Sequence, residues 1–228
     1  MADLINMFPL SVFRDRLEVD PAYRAELVDQ ILAMEGSELL KQPGKAWTGD
    51  VNGFEFLHRR ESFKALFESF SAPLAGYLSR LAIDPAKVDL YYTRAWATIA
   101  RQRENIAPHV HPQSQISLVY YLKKPPGSGG LVFLDDDPPN ELTGGLFNSQ
   151  MFDRKVLVKR DIVNMKQGIL DAQEDEVVIF PSKVQHATQG NSTGEPRLSI
   201  AADIVITLKE QVSVEFLMPS VGEWVKVG

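Results

Sequence analysis

Short runs of β-branched and aromatic residues dominate the chain between residues 88 and 208. They occupy 88–101, 116–122, 131–134, 156–163, 177–180 and 197–208. Proline, glycine, asparagine and aspartate separate the runs, as is usual for turns. Several short strands at close spacing are typical of an antiparallel sandwich or barrel, so the sequence predicts a mainly β fold.

The segment before residue 88 combines one strand-like run with two helical patterns. Residues 4–13 are apolar but contain a proline, which favours an edge strand. Asp20-Pro21 is a helix-start signal. Apolar residues recur at helical spacing over 23–34 and again over 61–81. We therefore expect helices that flank the sheet.

Length and charge restrict the class of protein. The chain has 228 residues and a formal net charge of −6 at pH 7. That length fits one domain (1–228), which we divide into a supporting α/β segment (1–87), a β core (88–208) and a tail (209–228). The acidic balance argues against nucleic-acid binding, which uses basic surfaces. Neither a secretory signal nor a stretch of roughly 18 apolar residues is evident, so we expect a cytoplasmic protein.

The absence of cysteine limits the chemistry that is open to the chain. It excludes disulfides, cysteine-ligated metals and thiol nucleophiles, so any metal must be held by His, Asp or Glu. His109-Val110-His111 precedes a predicted strand, and residues two apart on an extended chain point to the same face. Together with His186 they could hold one metal ion and leave coordination positions open. A His-x-His pair is also common on protein surfaces, so the pattern alone leaves both interpretations open.

A basic motif follows the last histidine. Ten residues separate His186 from Arg197-Leu198-Ser199, which begins a strand-like run. A guanidinium can bind a carboxylate through two parallel hydrogen bonds while a metal holds the other end of the same molecule. Ser199 lies on the same face of the strand and could donate a further hydrogen bond. Alternatively, Arg197 pairs with a surface acid such as Glu195.

In this order, the motifs resemble the iron(II)- and 2-oxoglutarate-dependent oxygenases. Members of that family usually carry His-x-Asp/Glu, a distal His and, about ten residues later, an Arg that is often part of Arg-x-Ser. The chain has His109-x-His111, His186 and Arg197-x-Ser199, together with Tyr120-Tyr121 and Gly129-Gly130, which are similar to the prolyl-hydroxylase-like branch. Residues 175–186 (DEVVIFPSKVQH) are similar to the Phe-Pro-Ser element ahead of the distal His in small bacterial and phage members.

The resemblance implies a fold, two cofactors and a reaction. The implied fold is a double-stranded β-helix (a jelly roll, as in cupins) with an N-terminal helical segment packed on the sheet. The implied ligands of iron(II) are His109, His111 and His186. The distal carboxylate of the co-substrate 2-oxoglutarate would be bound by Arg197, with Tyr121, Ser199 and Ser117 nearby. With O2, the enzyme would form succinate and CO2 and hydroxylate an unidentified small-molecule or peptide substrate.

One position departs from the family pattern. His111 stands where Asp or Glu is usual, so three neutral imidazoles would leave the iron site about one charge more positive. Two alternatives stay open: His109 and His186 bind alone, or Asp135 or Asp136 supplies a carboxylate. Both acids belong to a long insertion, 135–155, which we expect to act as a lid.

Two other functions fit parts of the sequence. A cupin-type metal-dependent dioxygenase or isomerase would share the His-x-His motif without using 2-oxoglutarate. In this chain Gln115 occupies the position of the cupin acid, and Arg197 would have no role in such an enzyme. A non-catalytic binding protein with a degenerate metal site is the third alternative.

The tail has a weaker signal. Val212, Val214 and Phe216 recur at strand spacing. Such a strand could cover an edge of its own sheet or pair across a homodimer, and the sequence leaves both open.

Overall fold

The computed structural model describes residues 3–36, 42–210 and 217–227. The described strands are β1 (Phe13–Arg16), β2 (Trp47–Thr48), β3 (Val88–Ala100), β4 (Ile116–Lys123), β5 (Leu131–Leu134), β6 (Gln167–Leu170), β7 (Glu176–Pro181), β8 (His186–Thr188) and β9 (Arg197–Leu208). The described helices are α1 (Pro21–Glu35), α2 (Lys64–Ser69), α3 (Ser71–Arg80) and α4 (Ser149–Asp153). None of these helices is long and apolar enough to cross a membrane.

The strands form two sheets. The larger has the order β1-β7-β4-β9-β3-β2, and the smaller has the order β6-β5-β8. All the pairs within them are antiparallel. Neighbours in the larger sheet are mostly distant in sequence, so the fold depends on long-range pairing between β9 and both β3 and β4. This two-sheet arrangement confirms the predicted jelly roll.

Side-chain alternation gives the larger sheet two different faces. Every second residue of β9, including Leu198, Ile200 and Ile204, belongs to a large apolar core. Because side chains alternate along a strand, the intervening residues Arg197 and Asp203 point to the opposite face. We call this opposite face of β3, β4, β7 and β9 the inner face.

The apolar face of the larger sheet is covered by helices. Leu27 and Ile31 of α1 and Leu74 of α3 pack in the same core as Tyr120 of β4. The Asp20 side chain accepts hydrogen bonds from the first turn of α1, as the sequence predicts. A second, smaller core lies between the sheets; its buried members are Tyr121, Leu131, Phe133, Ala172, Val178 and Phe180.

Three local predictions are wrong. Residues 4–11 are exposed, Val12 is partly buried, and the edge strand β1 begins only at Phe13. The predicted helix 61–81 is divided into a 3-10 turn, α2 and α3, because Pro73 has no N–H donor and is tolerated only in a first helical turn. The predicted strand 156–163 is a loop, since the strand that pairs with β5 is the later β6. Val158 is accordingly 87% exposed.

Two broader predictions are not tested. β3 begins at Val88 and β9 ends at Leu208, but the division of the chain into segments stays a prediction. Residues 211–216, which contain the strand-like part of the tail, lie outside the described residues. The homodimer prediction that rests on them also stays a prediction.

Candidate metal and co-substrate site

The three predicted histidine ligands meet at one end of the inner face. His109 lies opposite His186, and each backbone N–H donates to the other's carbonyl oxygen at 3.0 Å. The His111 backbone N–H donates to the Ser182 carbonyl at 3.1 Å, in the turn between β7 and β8. One ligand nitrogen from each imidazole lies within 4.8 Å of the other two. Backbone pairing between distant segments therefore gathers the three rings.

Hydrogen bonds at Nδ1 fix which nitrogen each ring presents. His109 and His186 each bond through Nδ1 to the backbone carbonyl two residues earlier, both at 2.9 Å. Nδ1 of His111 lies 2.9 Å from the Asp203 carboxylate. Because carbonyl and carboxylate oxygens only accept, each Nδ1 must carry the hydrogen, and Nε2 keeps its lone pair when the ring is neutral.

Burial favours the neutral form of His109 and His186. His111 and His186 are 7% and 4% exposed, and His109 is half-buried. Burial lowers the pKa of His186 to about 4 and also lowers the pKa of His109, in both cases against a smaller opposing effect of the backbone hydrogen bond. These two rings are therefore neutral at pH 7, as metal binding requires.

Aromatic side chains form the walls of the histidine cluster. The Trp96 ring stacks on His111 with centroids 5.6 Å apart, and the Phe180 and His186 rings pack edge to face with centroids 4.8 Å apart. Both are nearly or fully buried. The rings are thus held in place from behind, which limits their rotation and shields them from water.

The donor set fits a divalent transition metal. Three neutral imidazoles on one side of an ion would leave its remaining positions open, which suits iron(II). Among the described residues, the group that could hold a metal consists of these three histidines. Asp135 and Asp136, the alternative carboxylates, are exposed and lie outside that group.

Arg197 lies at the other end of the inner face and is 2% exposed. Its Nη1 donates to the carbonyl oxygens of Ser128 (2.6 Å), Gly129 (3.1 Å) and Gln189 (3.2 Å). Its Nη2 is buried and has no hydrogen-bond partner among the residues that the structure describes. Arginine stays protonated in proteins, so this buried positive charge has Nη2 available as a donor for an anion.

The glycine pair singled out in the sequence shapes this end of the site. Gly129 has φ +86°, a region that favours glycine. A Cβ atom on Gly129 would lie 2.8 Å from the Gln189 carbonyl oxygen. Two of the carbonyls that receive Arg197 are therefore brought together only because residue 129 has no side chain.

Tyr121 and Ser199 accompany Arg197. They are directly opposite each other in the β4–β9 pair, so both side chains point to the inner face. Tyr121 is 1% exposed; burial raises its pKa to about 12, and the positive charge of Arg197 opposes the rise. Its phenol is therefore neutral at pH 7 and can donate a hydrogen bond. The structure thus brings Arg197, Tyr121 and Ser199 together.

The structure does not bring Ser117 to Arg197. Ser117 is paired with Asp203 across β4 and β9, whereas Tyr121 is paired with Ser199. Four residues of strand separate Ser117 from Tyr121, roughly 13 Å. The Ser117 hydroxyl bonds to Ser182 at 2.9 Å, and Ser182 in turn accepts from Ser114. Ser117 therefore belongs to the metal end of the site.

Sequence reasoning missed Asp203, Arg94 and Trp96. Asp203 is fully buried, and Arg94 donates to it through Nε (3.1 Å) and Nη2 (2.8 Å). Arg94 also lies over the Trp96 ring, 5.0 Å from its centroid. The position of Asp203 on β9 could have been used to predict it, because residues an even number apart on a strand share a face and Asp203 is six residues after Arg197. The pairing that brings Arg94 to it could not be read from the sequence.

Two further predictions concern residues beside the site. Gln115, at the position of the cupin acid, is exposed, and its side chain accepts from the Ile206 backbone N–H at 3.2 Å. It does not join the histidine cluster. The insertion 135–155 connects β5 towards β6 and contains α4; its role as a lid stays a prediction.

Solved structures with the same overall architecture include three that cover most of this chain. The α-ketoglutarate-dependent epimerase SnoN from nogalamycin biosynthesis has a TM-score of 0.54 at 14% identity, covering 88% of this chain and 82% of its own. HygX from Streptomyces hygroscopicus, with nickel and 2-oxoglutarate bound, has a TM-score of 0.54 at 9% identity and covers 86% of this chain and 83% of its own. A Pseudomonas putida prolyl-4-hydroxylase has a TM-score of 0.51 at 11% identity and covers 86% of this chain and 92% of its own. At these identities the likeness shows the fold.

Sequence comparison gives one family match for part of the chain. A comparison with curated proteins gave no match. Residues 94–203 match the model of the family described as "Putative 2OG-Fe(II) oxygenase", where 2OG is 2-oxoglutarate. The matched stretch contains the three histidines, Tyr121, Arg197 and Asp203. Through residues 94–203, the chain is therefore similar to the 2OG-Fe(II) oxygenase family.

Proposed function

We propose that this protein is an oxygenase that hydroxylates a small-molecule or peptide substrate at the inner face of the larger sheet. The overall reaction would be 2-oxoglutarate + O2 + R–H → succinate + CO2 + R–OH. One observation carries the proposal: three imidazole nitrogens lie within 4.8 Å of one another at one end of this face, and a buried guanidinium with an unpartnered nitrogen lies at the other. A dicarboxylate with a chelating 2-oxo acid group offers the metal end a chelating group and the guanidinium end an anion.

The protein's own residues would position the reactants. His109, His111 and His186 would hold iron(II) through Nε2, and this ion would supply the activation of dioxygen. Arg197 would bind the distal carboxylate of 2-oxoglutarate through Nη2, because Nη1 is already occupied by backbone carbonyls. Tyr121 and Ser199 would donate to the same carboxylate.

Burial would keep the reaction away from water. Trp96 and Phe180 pack against the histidines, and Tyr121 fills the space beside Arg197. Rigid placement of two reactants and exclusion of water are the contributions that a protein makes when a cofactor supplies the difficult chemistry. The acidic chain favours a substrate other than nucleic acid, and a cytoplasmic location is part of the proposal.

Turnover of the co-substrate tests the function. Purified protein with iron(II), ascorbate and O2 should convert 2-oxoglutarate to succinate, slowly without a prime substrate and faster with one. His186→Ala should abolish succinate formation, whereas His58→Ala, which removes a histidine outside the cluster, should retain it. An iron-loaded protein that neither binds nor decarboxylates 2-oxoglutarate would refute the proposal.

A further inference from the structure

Asp203 is a buried carboxylate with an unusual set of partners. It is 0% exposed and accepts hydrogen bonds from Arg94 at 2.8 and 3.1 Å and from Ser114 at 3.2 Å. It also lies 2.9 Å from Nδ1 of His111. The carboxylate is therefore fixed in position by several donors, one of which is a ring of the histidine cluster.

His111 differs from the other two histidines in the group that receives its Nδ1 hydrogen. His109 and His186 donate to neutral backbone carbonyls. Among the three, only His111 has a carboxylate as its acceptor. His111 is also the residue that stands where the related oxygenases usually have an Asp or Glu ligand. The position that lacks the carboxylate ligand is thus the one with a carboxylate directly behind it.

A carboxylate behind a ligating imidazole changes the metal site in two ways. It holds the ring in the tautomer that presents Nε2, and it makes the ring a stronger electron donor to the metal. We propose that Asp203 is a positioning residue that acts through His111. Its carboxylate, which contacts Nδ1 of the ring and not the metal, replaces the negative charge of the missing carboxylate ligand. The inference rests on the proposed function only in that the three histidines bind the metal.

A structural alternative gives Asp203 a different purpose. Arg94 has two contacts with it, and Arg94 is also stacked over Trp96, which in turn stacks on His111. Asp203 could serve only to neutralise Arg94. In that case the loss of Arg94 should disturb the metal as much as the loss of the Asp203 charge. If Asp203 acts on His111, removal of Arg94 should leave the carboxylate free to bond more strongly to the ring.

Cobalt(II) binding to metal-free protein separates these alternatives without any turnover. The d–d absorption bands report ligand donation, and the titration gives the dissociation constant. Asp203→Asn keeps the size of the side chain and removes its charge; we expect it to weaken cobalt(II) binding by about 10- to 100-fold and to shift the bands. Arg94→Gln should not weaken binding by more than about threefold.

A matched control removes another buried Asp–Arg pair. Asp175 is 7% exposed, accepts from the Tyr120 hydroxyl at 2.8 Å and pairs with Arg24 at 3.2 Å. It has no described contact with the histidine cluster. Asp175→Asn should therefore cost stability while leaving the cobalt(II) affinity and spectrum unchanged. If Asp203→Asn does not fold, the double variant R94Q/D203N can be compared with R94Q. The double variant leaves no unpaired charge at Arg94, and the comparison still measures the loss of cobalt(II) affinity that follows removal of the Asp203 charge.

The outcomes are distinct. Cobalt(II) binding that is equally tight in the wild type and Asp203→Asn, with the same spectrum, would overturn the inference and leave the proposed function intact. An equal loss in Arg94→Gln and Asp203→Asn would assign Asp203 the structural purpose and overturn it as well. A wild-type protein that binds cobalt(II) but shows no spectral response to 2-oxoglutarate would refute the proposed function, while a loss of affinity in Asp203→Asn would still support the role of Asp203.

Discussion

Substitution of Arg197 should separate the binding of 2-oxoglutarate from the binding of the metal. Arg197→Met removes the guanidinium and keeps most of the aliphatic volume. Nη2 of Arg197 is buried and has no partner in the described part of the chain, so a carboxylate placed there would form a fully desolvated, charge-assisted pair. Loss of one partner of such a pair costs about 2–5 kcal/mol. At about 1.4 kcal/mol per tenfold change, the apparent Kd for 2-oxoglutarate should rise roughly 30-fold to several thousand-fold.

The assay is an anaerobic titration of the iron(II)-loaded protein with 2-oxoglutarate, followed through the visible band that chelation produces. A 2-oxo monocarboxylate such as 2-oxobutyrate supplies the comparison, because it keeps the chelating end and lacks the distal carboxylate. It should bind the wild type and Arg197→Met with similar affinity. Arg197→Lys should give an intermediate Kd for 2-oxoglutarate, since an ammonium keeps the charge but loses the planar fork.

Arg14→Met is the control for the loss of an arginine. The Arg14 side chain is 53% exposed, lies on the edge strand β1 and is 3.9 Å from Glu176. It should leave the Kd unchanged. A rise of less than about fivefold in Arg197→Met, or an equal rise for the monocarboxylate, would refute the assignment and favour the cupin-type alternative.

Three other predictions concern stability, measured by urea unfolding. Gly129→Ala should destabilise the protein by at least about 1–2 kcal/mol because of the positive φ at this position. Gly144→Ala is the control, because nothing lies within 4 Å of the added Cβ, and it should change the free energy of unfolding by less than about 0.5 kcal/mol. A divalent metal at 100 times its Kd should stabilise the protein by about 2.7 kcal/mol, and EDTA or His186→Ala should remove the effect. In metal-free protein, the pKa of His186 is near 6.5 in the unfolded chain and about 4 in the folded chain. Between these pH values the unfolded chain binds one proton more than the folded chain. Stability should therefore fall as the pH drops through this window, by at most about 3 kcal/mol from this residue, and His186→Gln should lack that part of the slope.

The sequence was most informative where local pattern and fold agree. The predicted strands 131–134 and 197–208 match β5 and β9 in both bounds, because each is an apolar or alternating run that turn residues delimit. The run 156–163 has similar composition but no partner strand, and composition alone cannot show which runs find partners. The short strand β6 has the opposite problem. Gln167–Leu170 is only four residues long and begins with a glutamine and a glycine, yet it pairs with β5.

The site was predictable to the extent that its residues have distinctive chemistry. Histidine is rare in this chain, so three of its four histidines were sufficient to suggest a metal site, and the structure brings their rings together. An aspartate is one of many acids, and Asp203 gains its partners only when β3 and β4 pair with β9. Asp135 and Asp136 attracted attention instead because they lie in a long polar insertion. Which of these acids lies beside the histidines depends on the long-range register of the strands, and a single sequence does not show that register.

The geometry of the site depends on the same register that buries the apolar core. Arg197 and Asp203 lie six residues apart on β9, roughly 20 Å, with Ser199 and Ala201 between them on the inner face. The side chains at these two positions are small, and both residues are only partly buried. A slip of one residue would turn Leu198 and Ile204 into the site and both charged groups into the core. The apolar residues of β9 therefore hold the two ends of the site on one face, although they touch neither the metal position nor the co-substrate position.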